Sequence, residues 1–474
     1  MIRHALVLTA LVLTGCATTR PATDADVAAL AAQMDTFPSA QQTADSLAQS
    51  YLKLTLEAGT YEADYVDAYY GPQELRDAAI ASPRPREELI AEARAMVRAI
   101  DHFLARPPFA AQSPEPATSP RRRLLALRGM LAAADTRLQM IGGTRLSFAD
   151  EARGLFGVEP QPLPLSHYDP ILTSLESLIP GDGPLAGRVD AFNERYTIPT
   201  DRLRPVFDAA IAECRRRTAQ HIALPAGESF TMEFVTNKPW SGYNYYQGNY
   251  RSLIQINTDL PIRISRAVDL GCHEGYPGHH VLNLMVESRL ARGAANIDTR
   301  GPGDGAPNGK GWQEYLVNPL YSPTSVISEG SANYGIDLAF PGPERLAFEQ
   351  GTLYPLAGLN PASATAYWRV QQATEALGGA RLTIAKMYLD GEIDRAQAVD
   401  LTQRYLLLSP ARAEQSVAFT DHYRSYVLNY GWGRDLVRSA IEAGNPDAAT
   451  RWRRMEAILS EPTLPSDLAA QAGS

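Results

Sequence analysis

Residues 271–280 read GCHEGYPGHH, so that His273, His279 and His280 fall within eight consecutive positions. In the common zinc-hydrolase pattern H-E-x-x-H the histidines sit about one helical turn apart, and the glutamate beside the first serves as general base. Here the partners of His273 lie six and seven residues on, which on a regular helix is roughly 9 and 10.5 Å of axial rise. Ring nitrogens that each stand about 2 Å from one ion cannot be that far apart. Pro277 changes the geometry, because its ring clashes with the carbonyl of His273 and it offers no amide hydrogen to bond that carbonyl. The helix must break or bulge there, and Gly278 is free to adopt backbone angles closed to other residues. A two-residue excursion then brings His279 to the place the second histidine holds in the shorter pattern, with Glu274 as general base. His280 is left as a supporting or solvent-facing residue.

Three protein ligands and one open position make a catalytic site, whereas closed structural sites usually contain cysteine. The third ligand is sought in ISEGSANYGIDLAF, where Glu329 lies 56 residues after His273 on a helical pattern and Asn333 follows one turn later. Asp269, four residues before His273, falls on the same helix face and is expected to orient the imidazole. An isolated histidine is usually a surface or core residue with satisfied hydrogen bonds. The combination of histidines, glutamate and the later carboxylate outweighs that reading.

Outward from this stretch the texture changes twice. Residues 226–261, rich in Thr, Tyr, Phe, Val and Ile with turn residues between, predict two or three short strands. Before them, Ser46–Leu56, Leu89–Phe103, Leu124–Met140 and Leu203–Ile222 carry apolar residues at helical spacing, and helical patterns return after the strands. A proline-rich loop spans 106–120 and a glycine-rich loop spans 299–311. There is no internal repeat and no sustained heptad. The expected class is mainly α, with one small antiparallel sheet before the metal-binding segment. The chain divides into a signal peptide (1–15), a flexible tether (16–28), an N-terminal helical part (29–225), a metal-site part (226–460) and a tail (461–474), the two central parts forming one catalytic unit.

The N-terminus, MIRHALVLTALVLTGC, has an early arginine and an apolar run that reads as an export signal. It resembles the lipobox of bacterial lipoproteins, which implies cleavage before Cys16, lipidation of its thiol and attachment to a membrane of the cell envelope. Ala17 is not the aspartate associated with inner-membrane retention, which favours the outer membrane facing the periplasm. The formal charge of -9 excludes nucleic acid as a main partner, since backbone binding needs a concentrated basic surface. Cys214 and Cys272 can pair in an oxidising compartment or stay as buried thiols.

HEGYPGH followed by SEGSANY is similar to a bacterial domain-of-unknown-function family marked by H-E-x-x-P-G-H and a downstream E-G-W-A-x-Y, regarded as gluzincin-type zinc peptidases. The resemblance spans residues 40–440, although only the first segment is specific. It implies a large multi-helix metallopeptidase-like fold and one zinc ion held by His273, His279 and Glu329, with Glu274 as base. It also places Asn257 where an edge strand approaches substrate. The family tryptophan is Ser331 here, its glutamine is Leu282, and the segment R-L-x-x-D-T-G-x-H survives only as RLTIAKMYL, with Ala385 and Leu389 in the aspartate and histidine positions.

A zinc peptidase also needs a donor for the developing oxyanion. Tyr423, Tyr426 and Tyr430 recur at helical spacing, and Tyr426 is the expected donor. Arg424 is a candidate to hold a substrate carboxylate bidentately. Tyr245, in the tyrosine-rich tract before LIQIN, suits an edge that binds an extended peptide. The activity expected is peptide-bond hydrolysis. Hydrolysis of another amide such as a cell-wall cross-link, and a non-catalytic envelope binding lipoprotein, are the alternatives.

Overall fold

The structure is a computed structural model that describes residues 23–35, 39–106, 119–238, 240–292 and 311–472. The lipobox at Cys16 lies outside the described residues, as do most of the proline-rich and glycine-rich loops. The helix Asp24–Asp35 starts inside the segment expected to be a tether.

Helices dominate, and their boundaries follow local chemistry. In Pro120–Ile141, Ser119 accepts a hydrogen bond from the Arg122 amide and Pro120 opens the first turn. Leu124, Leu127, Leu131 and Leu138 then bury one stripe against Ala40–Ala58 and Arg86–Leu104, each of which presents its own apolar stripe. Truncating one of these leucines to alanine is expected to cost about 2–5 kcal/mol. Arg123 on the same helix is fully buried and forks onto Glu314 at 2.6 and 2.8 Å. That pair ties the N-terminal helices to the turn Gln313–Leu316.

Among the described residues, five strands make two small sheets. β1 (Val66–Tyr69) pairs antiparallel with β5 (Val317–Pro319). The strands before the metal segment are β2 (Ser229–Val235), β3 (Gly242–Gly248) and β4 (Arg251–Asn257), in spatial order β2-β4-β3. The mainly helical class holds, but this sheet is mixed and not wholly antiparallel: β3 and β4 form a hairpin, while β2 runs parallel to β4. Asn249 and Tyr250 close the hairpin with positive φ of 53° and 60°, the arrangement a two-residue turn needs to match strand twist. The buried Glu287 carboxylate accepts from both of their amides.

Ile254 and Ile256 of β4, Val206 and Phe207 of the helix Leu203–Thr218, and Ile327 and Leu338 of the helix Pro323–Ala339 share one core. The C-terminal residues read as a tail join it, because the helix Pro465–Ala472 buries Leu468 and Asp467 pairs with Arg122. Cys214 and Cys272 form a disulfide, fastening the helix Leu203–Thr218 to the residue before His273. Among the described residues no helix is long and apolar enough to cross a membrane.

Candidate metal centre

The helix Ser265–Leu270 runs on into a widened turn, Gly271–Gly275, and stops; a new helix, His279–Met285, begins at the second candidate ligand. The Tyr276–Pro277 peptide between them is cis. Gly278 is needed for two reasons. Its φ of -74° is combined with a ψ of -140°, outside the regions open to L side chains, as its place after Pro277 suggests, and a Cβ there would sit 1.7 Å from the carbonyl oxygen of His273. Backbone conformation and the close approach of two chain segments both exclude a side chain. Pro277 is in turn seated on the helix Pro323–Ala339 through Gly335, where a Cβ would come within 2.8 Å of the proline ring.

This folding brings three ligand atoms together. His273 Nε2 and His279 Nε2 are 3.1 Å apart, and Glu329 Oε2 is 3.2 Å from the first and 3.7 Å from the second. A tetrahedral ion with bonds of about 2.0–2.1 Å would have ligand atoms about 3.3 Å apart. Glu329 Oε2 is buried and has no hydrogen-bond partner among the described residues, so the donor set includes an unsatisfied acceptor. His273, His279 and Glu329 are the cluster of metal-ligating side chains found among the described residues. The residues fit a single zinc ion in chemistry and in spacing.

Supporting contacts hold the three in place. Ser328 Oγ lies 3.0 Å from His279 Nδ1, which fixes the ring and leaves Nε2 facing His273 and Glu329. The Tyr426 hydroxyl donates to Glu329 Oε1 at 2.8 Å. Tyr430 stacks on His273 with ring centroids 6.5 Å apart. The helix Leu428–Glu442 comes this close because Gly330 and Gly433 meet where a Cβ on Gly330 would stand 2.5 Å from the Gly433 carbonyl.

Glu274 is 4% exposed and sits beside the triad. Its backbone carbonyl accepts from Asn244 of β3 at 2.7 Å, and its Oε1 lies where a Cβ on Gly242 would be 2.8 Å away. Burial pushes its carboxyl above the ordinary range, against the pull of His273 and His279 and with help from the Glu329 charge. Glu329 moves the other way: burial opposes ionisation, but His279 and His273 hold it well below the usual carboxylate range. Burial would lower the His279 imidazolium, yet Glu329 lifts it to about 9.

Several expected site residues are placed elsewhere. Asp269 is paired with Arg345 at 2.8 Å and Arg266 at 3.3 Å instead of orienting His273. His280 is fully buried facing away from the ligands, with Nδ1 2.8 Å from Ser252 Oγ and Nε2 2.9 Å from Glu228 Oε2. Asn333 donates to the backbone carbonyl of Glu329, not to its carboxylate. Tyr426 is bonded to the ligand carboxylate and so is not free as an oxyanion donor. Arg424 forks onto the buried Glu151 carboxylate from a backbone with φ 53°, which removes it from substrate recognition. Asn257 donates to the carbonyls of Lys238 and Trp240 at 2.9 Å, ahead of β3. Tyr245 is 37% exposed on β3, its ring 4.3 Å from that of Tyr243.

Sequence reasoning missed Ser328, Gly242, Tyr430 as a neighbour of His273, and Asp67. Asp67 of β1 accepts a hydrogen bond from Tyr243; burial raises its carboxyl, and His279, Glu329 and Glu274 all act on it. A lone acid more than 200 residues before the motif carries no signal in the sequence.

No family model and no curated protein matches the chain. Among solved structures, the crystal structure described as "the putative lipoprotein from Colwellia psychrerythraea" is similar at a TM-score of 0.49 and 14% identity, covering 93% of this chain and 71% of that one. A likeness at that level assigns neither a fold nor an activity, and the reading of this site rests on its own geometry.

Proposed function

We propose that the protein is a zinc-dependent hydrolase of peptide bonds, with His273, His279 and Glu329 as ligands and Glu274 as general base. The observation that carries this is the convergence of three ligand atoms within 3.1–3.7 Å around an unsatisfied carboxylate oxygen, next to a buried glutamate. Zinc held there would keep a fourth position open, polarise a scissile carbonyl and make a water acidic near neutrality. Glu274, its carboxyl raised by burial, is suited to take a proton from water and deliver it to the leaving amine. Tyr426 and Ser328 keep Glu329 and His279 in orientation. Tyr430, over His273, takes the role of oxyanion donor first expected of Tyr426.

Among the described residues β3 is an edge of its sheet, paired with β4 alone, and it runs past Glu274 through Gly242 and Asn244. An extended peptide adding to that edge would present its backbone to the site. The lipobox at Cys16 makes the envelope the proposed location, with the enzyme tethered to lipid and facing the periplasm. A peptide-library cleavage assay on the zinc-loaded protein and on Glu274→Gln tests the activity. Cleavage abolished by the substitution supports it; bound zinc with no amide cleavage by either protein overturns it in favour of a binding lipoprotein.

A further inference from the structure

The buried and half-buried arginines of this protein are, with few exceptions, answered by carboxylates. Arg123 meets Glu314, Arg137 meets Glu62, Arg345 meets Asp269 and Glu349, and Arg434 meets Asp337 and Glu375. Arg381, half-buried at the start of the helix Ala380–Leu389, forms no side-chain hydrogen bond or ion pair among the described residues. Its helix packs Leu382, Ala385 and Leu389 against the cluster that contains Tyr423, Tyr426 and Tyr430. Its charge acts on Tyr430, the ring stacked on His273, and is repelled by Arg266. Arg266 lies on the same side of the site: it reaches Ser241 Oγ at 3.2 Å, next to Gly242, and its charge acts on Glu274. With no acid to offset it, burial lowers the Arg381 guanidinium.

A half-buried guanidinium that no side chain of the protein engages keeps its fork of donors open to an anion from outside. We propose that Arg381 is the substrate-anchoring residue of this site and takes a carboxylate of the bound peptide, with Arg266 adding positive field at the rim. Arg424, the sequence's choice for that task, is already bonded to Glu151, whereas the planar fork of Arg381 is unengaged. The carboxylate can belong to the chain terminus or to an acidic side chain. The inference names the substrate class for the hydrolase proposed above and rests on that reading for its catalytic meaning.

The test is binding, measured by calorimetry on the zinc-free and zinc-loaded full chain. The probes are N-acetyl trialanine as the free acid, the same peptide as its amide, and the amide in which the last residue is glutamate. The free acid is expected to bind about tenfold or more tightly than the amide, as a charge-assisted contact gives. Arg381→Gln should erase that preference without weakening the amide, and Arg381→Lys should retain part of it. Zinc-free protein should show the same preference, which separates the arginine from carboxylate binding by the metal. If the glutamate peptide binds like the free acid, the subsite accepts an acidic side chain; if it binds like the plain amide, the subsite reads the chain terminus. Arg381→Gln should also leave the melting temperature unchanged or raised, since no partner is orphaned. Equal binding of acid and amide, no binding of either at millimolar concentration, or a preference that survives Arg381→Gln overturns the proposal. Loss of the preference in Arg381→Gln with no cleavage of any peptide leaves the subsite standing and removes the hydrolase; cleavage without the preference does the reverse.

Discussion

His279 and His280 are neighbours in the chain and belong to two different carboxylate–histidine clusters. His279 joins His273 and Glu329, where Glu329 Oε2 is buried without a hydrogen-bond partner. His280 joins Glu228, whose carboxylate also accepts from Tyr276 at 2.5 Å and Arg215 at 2.8 Å, while Ser252 occupies the other ring nitrogen. Phe230 and Tyr276 pack edge-on against the His280 ring and close the cluster off. Residue types are nearly the same in both. What separates a ligand set from a structural network is whether the protein has already satisfied every acceptor.

Breaking the first cluster at its base should have the largest effect. Glu274→Gln is expected to lower kcat by about 10²–10⁴, the usual contribution of a positioned general base, while bound zinc stays stoichiometric. Peptide turnover measured beside metal content checks this, and loss of zinc together with activity would make Glu274 a ligand instead.

Breaking the second cluster should cost stability and spare the metal. His280→Ala leaves Glu228 and Ser252 short of a partner in a buried position, a loss of about 3 kcal/mol by denaturant unfolding. The same cluster predicts a pH dependence. Burial works to raise the Glu228 carboxyl, but His280, Tyr276 and Arg215 outweigh it and hold it at about 2, against an ordinary value of 4.5. A group whose folded pKa is depressed stabilises fully above its unfolded value and loses that contribution as pH falls to its folded value. The window is therefore about pH 4.5 down to 2, worth about 3 kcal/mol at most. Urea midpoints across that range should fall more steeply for the native protein than for Glu228→Gln; parallel curves would show that Glu228 is not the group responsible.

Tyr426→Phe is the smallest change and sharpens the contrast from the open side. It removes only the hydroxyl that donates to Glu329 Oε1, so zinc affinity should drop about 10- to 100-fold while the fold is kept. A chelator competition series measures it, and unchanged affinity would leave the tyrosine as core packing alone.

How far the sequence revealed the site depended on how local each determinant is. The approach of His279 to His273 was legible because Pro277 and Gly278 lie between them and act on the backbone at short range. Glu329 came from the downstream motif and was not visible from spacing alone. Asp269, His280, Asn257 and Arg424 had suitable chemistry, but their partners, Arg345, Glu228, the carbonyls of Lys238 and Trp240, and Glu151, are set by tertiary packing. Asp67 and Arg381 reach the site from segments far along the chain in either direction. In the fold, the tract rich in Thr, Tyr, Phe, Val and Ile disclosed two or three strands, of which there are three, but composition does not encode that β2 would lie parallel to β4 across from β3.

The most direct test of the central claim is zinc content, by elemental analysis, of the native protein, His279→Ala and His280→Ala purified in parallel. About one zinc per chain is expected in the native protein and in His280→Ala, and none in His279→Ala, as a single three-ligand site requires. A native protein without zinc, or a pattern in which His280→Ala loses the metal and His279→Ala keeps it, would contradict the account.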